Sequence, residues 1–145
     1  MSSAPRTPAP PTALTEFPAT REWDDVAISR EFELRLGPTL PVGLGFRLEG
    51  ALCVRGQNRF AQLAEATPHL DDMARQAARS RLQSMVAAAA RAVCVTPVRV
   101  LLDQTALRFS IESGDPPHPA CDAQLRLRLE RGVGSWLREH WIRKQ

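Results

Sequence analysis

The stretch from Pro68 to Val93 most limits what this chain can become. Thr67-Pro68 reads as an N-cap followed by proline at the first helical position, where a missing N–H costs nothing. Asp71 and Asp72 fall in the first turn and Arg91 in the last, which suits the helix dipole at both ends. Leu70, Met73, Ala74, Ala77, Leu82, Met85, Val86, Ala89 and Val93 recur at three-to-four spacing and draw one apolar stripe. Asp71, Arg75, Gln76, Arg79, Gln83 and Ser84 fall mostly on the other side. The pattern predicts an amphipathic helix of about seven turns. A stripe of that length needs an extended apolar partner to lie on.

The flanking segments read as that partner. Residues 24–36 alternate, with Val26, Ile28, Phe32, Leu34 and Leu36 on one face, which predicts a half-buried strand. Gly37-Pro38-Thr39 is a turn signal. Leu40, Val42, Leu44, Phe46, Leu48, Leu52 and Val54 then repeat the period of two, giving a second long strand. After the helix, Val98, Val100 and Leu102, then Leu107, Phe109 and Ile111, form a second antiparallel hairpin. Ser113 to Ala120 is a loop. Leu125, Leu127 and Leu129 read as a short strand or the first turns of a helix, and Gly132 and Gly134 interrupt. Ser135 caps a last short helix that clusters Val133, Trp136, Leu137, His140 and Trp141. The expected fold is α+β. Four or five antiparallel strands in two hairpins form one layer, with the long helix packed on them and a short helix at the C-terminus.

Residues 1–22 form a proline-rich arm, with Pro5, Pro8, Pro10, Pro11 and Pro18 among Ser, Ala and Thr and no apolar period. Residues 23–145 are read as one α+β domain, a size that buries a core without disulfides or metals. No apolar run approaches a membrane span, and the N-terminus lacks the hydrophobic region of a signal peptide. Cys53, Cys94 and Cys121 are widely spaced and odd in number, which fits a reducing cytoplasmic compartment rather than a disulfide framework. Lys144 is the only lysine among 19 basic residues, as in a genome with biased composition. The order of hairpin, long helix and hairpin resembles, in outline, small bacterial scaffold and secretion-chaperone domains. No residue motif accompanies that likeness, so it transfers no functional residue.

No chemistry announces itself. His118 and Cys121 stand three apart between Asp115 and Asp122, but zinc takes three or four such ligands and no paired Cys or His motif is present, so no metal or cofactor is expected. A nucleophilic site needs a thiol or hydroxyl, a base and an orienting group brought together. Cys94 follows the C-terminal end of the long helix, the wrong end for activating a thiol, and no nucleophile elbow exists. An enzyme site could still assemble near Cys94 or His118 from distant residues. The C-terminal segment is the most distinctive surface: residues 125–145 carry six basic and two acidic residues, net +4 in a chain of net +3. Arg126, Arg128, Arg131, Trp136, Arg138, Trp141 and Arg143 are the candidate partner-binding residues, since Arg and Trp concentrate at interface hot spots. The leading expectation is a small cytoplasmic, non-enzymatic adaptor or scaffold that homo-oligomerises through a sheet edge and the C-terminal helix. Two alternatives stand beside it: nucleic-acid or other polyanion binding through the Arg/Trp segment, and the enzyme. Under the first, Trp136 and Trp141 anchor a docked helix; under polyanion binding, they stack on bases.

Overall fold

Sheet order sets the architecture. A computed structural model describes residues 17–20, 22–57 and 59–141. The elements run α1 (Val26–Glu31), β1 (Phe32–Leu36), β2 (Leu40–Val42), β3 (Gly45–Val54), β4 (Arg59–Phe60), α2 (Leu63–Ala66), α3 (Asp72–Arg91), β5 (Val98–Leu102), β6 (Arg108–Ser113) and α4 (Pro119–His140). Six antiparallel strands form one sheet in the order β1-β3-β6-β5, with β2 and β4 also pairing β3. Both long helices pack on one face, so the fold is α+β as expected. The core includes Leu34, Leu48 and Ile111 from the sheet, Leu82 and Val86 from α3, and Leu125, Leu129 and Leu137 from α4. The opposite face carries ion pairs such as Arg35–Glu33 and Arg47–Glu49, and Phe17 packs there against Ala51 and Cys53.

The first strand pair differs from the expected one. Residues 24–36 are not one strand: Asp25 accepts the backbone N–H groups of Ala27 and Ile28 and caps the short α1, which buries Ile28 and Ser29. Gly37-Pro38-Thr39 is not a turn either. Leu36 pairs with Gly50 and Leu40 with Arg47, so three residues on one side face two on the other. That is a β-bulge, a place where an edge strand tolerates proline. The chain reverses later, through Gly43-Leu44, between the paired Val42 and Gly45. Gly43 has φ +59°, the left-handed conformation a two-residue hairpin turn demands. Gly45 lies so close to β6 that a Cβ there would sit 1.8 Å from the Ser113 carbonyl oxygen.

Helix α3 begins later than the Thr67-Pro68 signature indicates. Asp71 is its cap, accepting the N–H of Ala74 at 2.8 Å. The Thr67 hydroxyl donates back to the Leu63 carbonyl and closes α2 instead. The buried stripe therefore runs through Ala78, Leu82, Val86, Ala89 and Ala90, while Met73, expected in it, is 86 % exposed.

The C-terminal helix is long, not short. It is continuous over 22 residues, with no strand at Leu125–Leu129 and no cap at Ser135. Leu125, Leu129, Val133, Trp136 and Leu137 form its buried stripe. Gly132 and Gly134 do not interrupt it. A Cβ at Gly132 would lie 2.1 Å from Met85 Sδ and one at Gly134 2.9 Å from Trp23 Cδ1. Both glycines are points of close approach, and the Trp23 indole there donates to the Glu130 carbonyl.

Candidate functional site

The seven expected binding residues do not form one patch. Trp136 is buried, and its indole N–H donates to the Ala78 carbonyl of α3 at 2.8 Å. Trp141 meets Phe32 edge-on, with ring centroids 5.6 Å apart. Both tryptophans anchor α4 to the domain, Trp136 buried and Trp141 half-buried. Arg126 is also engaged internally. Its guanidinium donates to the Gly37 carbonyl, to Thr39 and to Asp122, and the Thr39 hydroxyl donates to the same carboxylate. This network clamps the β1–β2 bulge onto α4. Arg128, Arg131 and Arg138 are exposed and make no ion pair or hydrogen bond among the described residues. Arg143 lies outside the described residues.

A cavity opens where the enzyme alternative would need one, lined by Phe46, Val93, Cys94, His118, Cys121 and Leu125 among others. Asp115 shapes its rim by accepting the backbone N–H groups of Val95 and Thr96 at 2.6 and 3.0 Å. The hydrogen bonds from Thr96 and Val95 hold the Asp115 carboxyl below its usual range. The chemistry is nevertheless unpromising. The cavity volume is about 30 Å³, room for one or two waters. Burial pushes the Cys94 thiol up, away from the thiolate a nucleophile requires. The His118 ring caps α4, with Nδ1 accepting the N–H of Ala120 at 3.2 Å. Among the described residues, no three His, Cys, Asp or Glu side chains are arranged to hold a metal ion.

The three thiols differ enough to test this packing. Cys53 is fully buried, and burial raises its pKa to about 11, with Arg35 lowering it and Glu33 raising it further. Cys121 is exposed. Under native alkylation near pH 8, mass spectrometry is expected to find Cys121 labelled first. Cys53 should react at least about a hundredfold more slowly, from its smaller thiolate fraction and its burial. Equal labelling of Cys53 would contradict the sheet packing around it.

The surface that pattern reading missed is β2 and its turn. Leu40, Val42 and Leu44 keep the alternating phase of β3 and so read as core, yet they are 47 %, 51 % and 91 % exposed. Val95, in the loop that Asp115 holds, is 95 % exposed. The edges of the sheet are not equally open. The outer side of β1 is partly taken, since Ala19 pairs with Arg35 and the Thr20 N–H donates to the Leu34 carbonyl. On β5, side chains of α3 reach the outward carbonyls: Arg79 donates to Leu102 and Gln83 to Val100. Among the described residues, no segment pairs with the outer side of β2. No protein family, curated protein or solved structure matches the chain. No helix among the described residues is long and apolar enough to cross a membrane.

Proposed function

We propose that the protein is a non-enzymatic assembly module of the cytoplasm that self-associates through β2, its turn and the first turns of α4. One observation carries this reading: Leu40, Val42 and Leu44, three large apolar residues within five positions, stand exposed on β2 and its turn, and among the described residues no segment pairs with the outer side of that strand. Contiguous apolar surface of this kind marks an interaction site. The Arg126–Asp122–Thr39 clamp ties this edge to the start of α4. Pro41 offers no N–H to an added strand, so side-chain burial rather than backbone pairing would lead the contact. Three free cysteines suit a reducing compartment.

Sedimentation velocity tests the reading. The wild-type chain is expected to sediment as a dimer or higher oligomer at about 100 μM, where association with a micromolar Kd is largely complete. The double variant Val42→Glu/Leu44→Arg is expected to sediment as a monomer, with stability unchanged to within about 0.5 kcal/mol, since both positions are exposed in the single chain. A wild-type chain that stays monomeric at that concentration would refute self-association.

A further inference from the structure

We propose that the groove between α3 and α4 docks an acidic amphipathic helix of another protein, at a surface separate from the self-association edge. The two helices run antiparallel, with Trp136 against Ala78 and Gly132 against Met85. Towards the start of α4 their seam widens into an open groove of about 390 Å³. Its floor is apolar: Met85, Ala88 and Ala89 from α3 face Leu127 from α4. The alanines are too short to fill the space, and at one end Met85 lies against Gly132. Met85 is an adaptable floor residue, because methionine repacks around different partners.

The rim of the groove names the charge of the occupant. Arg128 and Arg131 line it, and no carboxylate does. Arg81 is engaged with Glu139, Arg75 with Asp72 and Arg126 with Asp122, whereas Arg138 is exposed but does not line the groove. Arg128 and Arg131 make no ion pair or hydrogen bond among the described residues. Three positions apart, they sit one turn from each other and can meet carboxylates spaced three or four apart on a facing helix. From Gln124 to Gly132 the groove is about 12 Å long, the reach of two helical turns. A third helix laid between two others packs ridges into a ready groove and completes a three-helix layer. A nucleic acid would seek aromatic platforms here, and both tryptophans of this segment are already engaged with the domain.

The test uses the full chain and a labelled synthetic peptide of about four helical turns, with leucines at three-to-four spacing and glutamates along one flank. Fluorescence anisotropy is expected to show saturable binding that weakens at least about tenfold in Arg128→Glu/Arg131→Glu. A peptide with lysine in place of glutamate should regain affinity for that variant. Ala88→Arg, which blocks the floor while keeping both arginines, should weaken binding as well. The Val42→Glu/Leu44→Arg chain should bind the peptide like wild type, which separates this groove from the self-association surface. Equal binding of a glutamine-substituted peptide, absence of binding, or tighter binding of a single-stranded oligonucleotide that displaces the peptide would each overturn the proposal.

Discussion

Leu82→Asp is expected to unfold the domain. Leu82 is 3 % exposed, in the middle of the α3 stripe that lies on the sheet between Ala78 and Val86. A carboxylate there loses its water and finds no cation in the apolar cluster around it. Losing the leucine's burial adds to that desolvation cost. Together they amount to at least about 4 kcal/mol against a total stability of roughly 5–15 kcal/mol. Met73→Asp is the control. Met73 belongs to the same sequence stripe but is 86 % exposed, so its substitution should change stability by less than about 0.5 kcal/mol. Met85→Asp should fall between them, because Met85 is only partly buried over Gly132. Thermal melts followed by circular dichroism would rank the three. A Leu82→Asp protein that melts like wild type would place this helix face in solvent.

Trp136→Ala is expected to be nearly as damaging, at about 3–5 kcal/mol. The indole is 4 % exposed and fills the seam between α3 and α4. Its removal leaves a large cavity and strips the Ala78 carbonyl of its 2.8 Å hydrogen bond. The same substitution discriminates between functions. A tryptophan kept for base stacking would be exposed, and its loss would weaken binding while sparing the melting temperature. A full drop in melting temperature is the result that fits a structural anchor. Trp141→Ala should cost less, since Trp141 is half-buried and holds a single edge-on contact with Phe32.

The long helix was legible because twenty residues give a 3.6-residue period room to show itself. Its start was not, because Thr67-Pro68 carries the marks of an N-terminus while its hydroxyl serves the C-terminal end of α2. The reversal at Gly43-Leu44 was hidden for a different reason. In sequence the alternation of Leu40, Val42, Leu44, Phe46 and Leu48 runs through it unbroken, but the turn pairs Leu40 with Arg47 and Val42 with Gly45 and so puts them on the sheet face opposite Phe46 and Leu48. That continuity also concealed the interaction edge, since Leu40 and Val42 share the face of Arg47 rather than the helix-covered face of Phe46 and Leu48. Helix α1 is too short for a helical period, and Val26, Ile28 and Phe32 alternate by coincidence.

In α4 the alternation of Leu125, Leu127 and Leu129 competed with the true spacing of Leu125, Leu129, Val133 and Leu137. Glycine in a helix interior costs about 1 kcal/mol, which is why Gly132 and Gly134 read as breaks. The close packing of Met85 and Trp23 explains their presence, and it is tertiary information no local pattern holds. The arginines were visible as a group. Their division into the clamp formed by Arg126 and the exposed Arg128, Arg131 and Arg138 depends on a bulge 89 residues away from Arg126 in sequence, at Gly37.

The most direct measurement is hydrogen–deuterium exchange of the full chain at low and high protein concentration. If β2 and its turn form the self-association surface, amides of residues 40–46 gain protection as concentration rises, while those in the middle of α3 and α4 do not change. Exchange across 40–46 that is the same at every concentration, or protection that grows only in the middle of α3 and α4, would contradict it.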